Sequence, residues 1–352
     1  MKSRILSACA LAACVCATAV AAGEAAGAAT GTAGARQEKQ DAKQQGPKVS
    51  RDEMKATEKV EKAQGAEAKL QAAAEYLKKY PQGALRSKVA EYVAGQVGAV
   101  TDNQLQASLA ETYRVLFNQP GEAARVDRIL LAAYINSNRT QDAFDASTAY
   151  LAADPDDVDI LKNLAILALN EAVRGDLKYV KQGRQHAARA IELLEADKRP
   201  AVLDAAQWPG YKAKSLPLAY QAAGILAYRD GDKKAARAHL EKAVELKSAD
   251  PNTFLALLNL ANEEYETLSL EYRASEGPAR DAALKRVEAQ VDRLIAFYAQ
   301  AIVAMEADGR FEPILPQMRQ ELERNYKFRH NDSTEGMQQL IDKYKQAMAA
   351  SR

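Results

Sequence analysis

The 352-residue chain has 3 cysteines and none after Cys16. Once the leading segment is removed, nothing remains to form a disulfide, a zinc–thiolate centre or a cysteine nucleophile. Histidine is as scarce: His186, His239 and His330 stand apart, outside any HExxH, HxxxH or CxxCH spacing. A lone imidazole without an orienting partner is a poor catalyst. No GxxxxGK[ST] loop is present, and Gly183 and Gly210 are isolated, so no phosphate cradle and no cofactor is implied. Aromatics are 6% of residues, with a single Trp, and alternating β-branched runs are missing, which excludes a sheet. Neither charge is in excess: 48 Lys+Arg face 47 Asp+Glu, and a net charge of +1 excludes the electrostatic footprint of a nucleic-acid partner. Beyond the first residues no apolar run is long enough to span a membrane.

The start reads MKSRILSACALAACVCATAVAAGEAAG. Lys2 and Arg4 precede an uncharged, Ala-rich stretch that ends in small residues at Ala19-Val20-Ala21. This is the pattern of a secretory signal peptide over residues 1–22, cut after Ala21 or Ala22. Leu11-Ala12-Ala13-Cys14 resembles a bacterial lipobox, which would acylate Cys14 and tether the chain to a membrane surface. The apolar run continues past Cys14, as expected of a cleaved leader, so a periplasmic or secreted chain is the expectation and the lipoprotein its alternative. Residues 23–50 hold Gly, Ala, Gln and mixed charge, with Val49 as the only large apolar side chain. Such a linker cannot bury enough surface to offset its chain entropy and reads as disordered.

From Arg51 the spacing of apolar residues becomes helical. Val60, Leu70, Ala74 and Leu77 belong to one or two helices that stop at Tyr80-Pro81. Pro81, Pro120, Pro155, Pro200 and Pro251 follow at intervals of 39, 35, 45 and 51 residues, with amphipathic pairs between them. A near-period of this size in an all-α chain predicts a helix-pair solenoid.

The clearest unit is YQAAGILAYRDGDKKAARAHLEKAVEL, residues 220–246. Tyr220 and Leu240 are large, Gly224, Ala236 and Ala243 are small, and Gly231 sits between the helices. This order resembles a tetratricopeptide repeat (TPR), a helix–turn–helix of about 34 residues. The resemblance implies close helix contact at the three small residues and a turn at Gly231. Poorer units keep phase: one with Tyr134, Asn138, Ala143 and Pro155, although Leu131, Ser147 and Tyr150 break its pattern, and one with Leu161, Leu164 and Ala165. In the latter, residues 173–185 read as an insertion between two helices. AAAEYLKKYPQGALRSKVAEYVAGQV is similar to the divergent repeats of periplasmic and outer-membrane assembly proteins. Repeats are expected over 51–309, with an extended hairpin at 251–306 turning near Gly277. Capping helices are expected over 310–352, the last one capped within Asp332-Ser333-Thr334-Glu335.

A TPR-like solenoid would bind a protein or peptide partner on a concave face lined by the first helix of each pair. On that reading Arg128, Lys162 and Gln221, which occupy equivalent places in three units, are groove residues. Asn259 and Asn262 on the helix after Pro251 join them. Such side chains hold a carboxylate or a peptide backbone, although the Lys-Asn order of the chaperone carboxylate clamp is not repeated along the units. A merely solvated helix face is the alternative. The enzyme alternative places a site in the segment 173–185 or in a loop at 199–216, where Trp208-Pro209-Gly210-Tyr211 reads as a turn. Paired carboxylates such as Glu263-Glu264 lie on a helix without a visible pocket. The expectation is a non-catalytic exported scaffold.

Processing is checked by intact mass of the protein expressed with its leader. An N-terminus at Ala22 or Gly23, free of thiol, is the expected product; a diacylated Cys14 would overturn it.

Overall fold

Serine and aspartate side chains mark where helices begin. Ser50 Oγ accepts from the Glu53 amide at 3.0 Å, and Asp102, Asp157 and Asp232 cap later helices in the same way at 2.8, 3.1 and 3.1 Å. The computed structural model describes residues 49–349 except 201, 202 and 247. The leader, Cys14 and most of the linker lie outside the described residues. Among the described residues there are fourteen α-helices, one short 3-10 segment and no strand. They run α1 (Arg51–Lys62), α2 (Gly65–Lys79), α3 (Arg86–Gly98), α4 (Asn103–Leu116), α5 (Ala124–Asn136), α6 (Thr140–Ala153) and α7 (Val158–Arg174). After these come α8 (Val180–Glu195), α9 (Trp208–Arg229), α10 (Lys233–Glu245), α11 (Pro251–Ala274) and α12 (Gly277–Glu306). The 3-10 segment Gly309–Ile314 leads to α13 (Leu315–Arg329) and α14 (Met337–Ala349). None of these helices is long and apolar enough to cross a membrane.

The first helices of three central pairs end alike. Asn138, Gly175 and Gly231 take φ of 55°, 100° and 84° after α5, α7 and α9. The amide one residue further on then bonds back to Tyr134, Glu171 or Ala227 at 2.9–3.0 Å. This is the Schellman turn, and it sends the chain back along its own helix. The resulting pairs α5/α6, α7/α8, α9/α10 and α11/α12 stack in order, and odd-numbered helices from α3 to α11 also touch one another in succession. From α4 to α12 the even-numbered helices make little contact with each other. The odd helices therefore form the closer, inner row of a TPR-like helix-pair solenoid.

Small residues set the spacing. A Cβ on Gly224 would lie 2.6 Å from Leu240 Cγ and 3.1 Å from the Leu240 backbone nitrogen. Ala236, Leu240 and Ala243 are fully buried around that contact. Gly183 on α8 is held as tightly, its missing Cβ facing Ala168 of α7 and the Leu226 side chain of α9. The hairpin expected at 251–306 is present as α11 and α12, with Gly277 at φ 52° at its turn. α13 and α14 pack on α12, and Tyr326 donates to the Glu335 carbonyl at 2.8 Å.

Two expected loops are helical. Of the segment read as an insertion, 173–174 end α7 and 180–185 begin α8, leaving a turn of only 175–179. Trp208-Pro209-Gly210-Tyr211 is the first turn of α9, since proline without its N–H is favoured where the helix has no partner for that group. Trp208 is buried, stacks on Tyr211 at 5.8 Å and donates Nε1–H to Asp197 at 3.3 Å.

Near the N-terminal end a buried ion pair joins α3 to the α4–α5 turn. Arg86 grips Glu122 with two 2.8 Å bonds and also donates to the Pro81 carbonyl, and both side chains are more than nine-tenths buried. The Arg86 hydrogen bond outweighs burial and holds Glu122 below the usual carboxylate range.

Two stability tests follow from these contacts. Gly224→Ala should cost about 1–3 kcal/mol by overpacking. Gly95→Ala, on α3 where an added methyl would meet open space, should instead gain about 0.5–1 kcal/mol; urea denaturation reads both. Glu122→Ala should cost roughly 3–5 kcal/mol by stranding the Arg86 charge. Because Glu122 titrates lower folded than unfolded, the pair's contribution is full above the ordinary value near 4.5 and fades as pH falls through the folded value. The stability curve of the wild type should converge toward that of the Glu122→Ala variant in that acid range.

Candidate binding surface on the inner helices

The charged side chains of the inner row are largely spent on each other. Arg128 of α5 donates Nε–H to Asp157 at 2.7 Å and lies 3.6 Å from Asp159. Asp157 caps α7 and accepts from Tyr150 of α6 at 2.7 Å. Burial alone would raise Asp157, but hydrogen bonds from Arg128, Tyr150 and the Ile160 amide hold it below the carboxylate range. Lys162 of α7 reaches Asp159 at 3.1 Å and sits over the ring of Tyr211 of α9 at 4.9 Å. The Tyr211 hydroxyl donates to Asp159 at 3.1 Å, and burial pushes that phenol up. This network stitches α5, α7 and α9 together. It also forms one wall of a cavity of about 670 Å³, whose apolar side is Pro200, Leu203 and the Tyr211 ring.

Of the residues expected to face a ligand, Arg128 and Lys162 are therefore brought together, but by Asp159, as struts between pairs. Lys162 is 9% exposed. Gln221 is 4% exposed, turned into the packing of α9, and does not present its amide. Asn262 donates to the Tyr298 hydroxyl at 3.4 Å and ties α11 to α12. Asn259 is exposed and has no side-chain partner among the described residues.

Further along the same pair of helices the surface changes character. Ile166 is seven residues past Asp159, about 10 Å along α7. There a groove of about 270 Å³ has Ile135 of α5 and Ile166 and Leu167 of α7 as its floor. Its rim is Asn136 and Asn138 from the end of α5, and Asn163 and Asn170 from α7. None of these four amides has a hydrogen-bond partner among the described residues. Asn163 and Asn170 are half-buried, Asn136 and Asn138 exposed. Each amide offers both a carbonyl acceptor and an NH2 donor. The groove is thus polar, uncharged and unsatisfied over an apolar floor. Sequence reasoning alone does not find it, although Asn163 and Asn170 lie two turns apart on one helical face, on either side of Ile166.

The histidines are packing residues. His186 stacks near Phe144 with centroids 6.1 Å apart, His239 near Tyr220 at 5.8 Å, and His330 on Tyr326 at 4.0 Å. Burial pushes His186 and His239 below the ordinary imidazole value. Among the described residues no group of His, Cys, Asp and Glu side chains is arranged to hold a metal ion.

No protein-family model matches the chain. No curated protein matches it either. Among solved structures it is similar to a tetratricopeptide repeat protein from Parabacteroides merdae ATCC 43184, over 84% of this chain and 96% of that one, with 11% identity and a TM-score of 0.36. At that level the likeness transfers neither a ligand nor a role.

Proposed function

We propose that this chain is a non-catalytic, exported scaffold that holds an extended stretch of polypeptide against the α5–α7 face of its inner row. The observation that carries the reading is the ring of four unpartnered asparagine amides over Ile135, Ile166 and Leu167. A polypeptide main chain presents alternating N–H and C=O groups at roughly 3.3 Å per residue, and asparagine can answer either. An uncharged rim tolerates many side chains, and the apolar floor adds contact area. Export rests on the leader pattern at 1–22, and a lipid on Cys14 would place the same scaffold on a membrane.

The test uses a permanently unfolded probe, reduced and carboxymethylated α-lactalbumin, immobilised against the purified chain. Asn136→Ala, Asn163→Ala and Asn170→Ala combined should weaken binding about tenfold or more, since each lost hydrogen bond is worth about 0.5–1.5 kcal/mol. The helical circular dichroism should not change. Arg128→Ala should behave differently, lowering thermal stability by leaving Asp157 without its cation. Undiminished binding by the folded triple variant would remove the asparagine groove as the binding surface.

A further inference from the structure

We propose that the cleft between α10, α11 and α12 is a second docking site, for an acidic segment of a partner protein with apolar residues between its carboxylates. The cleft has a volume of about 610 Å³ and is built from helices other than those of the asparagine groove. Leu260 and Leu268 supply its apolar surface. Around them stand Lys233, Lys234 and Arg237 of α10 and Arg293 of α12, facing Glu263 and Glu264 of α11.

The two glutamates are already engaged. Lys233 Nζ lies 2.6 Å from Glu263, which also accepts from Tyr228 at 3.4 Å, and Arg237 lies 2.6 Å from Glu264. Lys234 and Arg293 have no carboxylate partner among the described residues. The lining therefore carries two uncompensated positive charges. Lys233 and Lys234 also sit in the first turn of α10, where the helix dipole disfavours cations. Glu263 and the Asp232 cap offset that cost at Lys233; Lys234 has no carboxylate of its own, and one from outside would supply it.

The same features select the class of partner. Two guest carboxylates would complete charge-assisted hydrogen bonds with Lys234 and Arg293, while leucine-sized side chains would cover Leu260 and Leu268. A nucleic-acid backbone needs an extended basic field, and the chain as a whole carries only +1.

Fluorescence anisotropy of a fluorescein-labelled peptide of alternating glutamate and leucine tests this on the full chain. Lys234→Glu combined with Arg293→Glu should weaken binding about tenfold or more and leave the melting temperature unchanged, because both side chains are exposed and unpaired. The affinities are compared in the background of the Asn136/Asn163/Asn170 triple variant, which removes the asparagine groove's own contribution, so that failure here and failure of the asparagine groove are separable. Hydrogen exchange on the wild type should slow at 233–237 and 260–268 when the peptide is added, a readout that needs no variant. Equal affinity for the charge-reversed variant, equal binding of a lysine–leucine peptide, or no protection at 233–237 and 260–268 would overturn the site. Binding of phosphatidylglycerol vesicles or a DNA duplex in place of the peptide would overturn the assignment to a protein partner.

Discussion

The absence of a single carbon atom at position 224 fixes how near α9 can come to α10. Leu240 occupies the space that a Cβ would need, and the fully buried Ala236 and Ala243 keep the rest of the interface thin. Gly183 does the same between α8 and its neighbours α7 and α9. Close pairs leave little room in the inner row, so its odd helices touch in succession. Those contacts create the seam between α5 and α7 in which both the charged network and the asparagine groove lie. A bulkier residue at either glycine would act on the inner row through helix spacing.

Much of the architecture can be read from residues whose reason is local and steric. The small positions at 224, 236 and 243, the turn residues Asn138 and Gly231, and the long hairpin after Pro251 all recur in the structure as helix contacts and Schellman turns. Gly183 is legible only as an isolated glycine, because its partners Ala168 and Leu226 come from two other helices. Loops mislead where composition and position disagree. Trp-Pro-Gly-Tyr has the content of a turn, yet proline is at ease in the first turn of a helix, and Trp208 gains burial by starting α9 there.

The candidate site is less legible, and the reason is pairing. Position along a helix indicates which way a side chain leaves the backbone; it says nothing about what it meets. Arg128 and Lys162 leave from suitable places, but the run Asp154-Pro155-Asp156-Asp157-Val158-Asp159 brings carboxylates to both. A cation held by two aspartates across a helix interface is a strut. The asparagines carry no charge to attract such partners, and so they remain available.

Availability has an energetic meaning here. While the groove is open, the amides of Asn136, Asn138, Asn163 and Asn170 are satisfied by water, and the unpaired state costs little. Covering the groove removes that water, and each amide left without a partner then costs about 1–3 kcal/mol. A purely apolar cover would incur that penalty four times while gaining contact with only Ile135, Ile166 and Leu167. A polypeptide main chain incurs none of it, because its own donors and acceptors replace the lost water. As a peptide site, the groove would thus discriminate chiefly by penalising the wrong occupant. The cleft of Lys234 and Arg293, as proposed, would work in the opposite sense, through attraction to missing negative charge. Two surfaces with such different selection rules on one solenoid suit a scaffold that holds an indifferent chain at one place and a particular acidic partner at another.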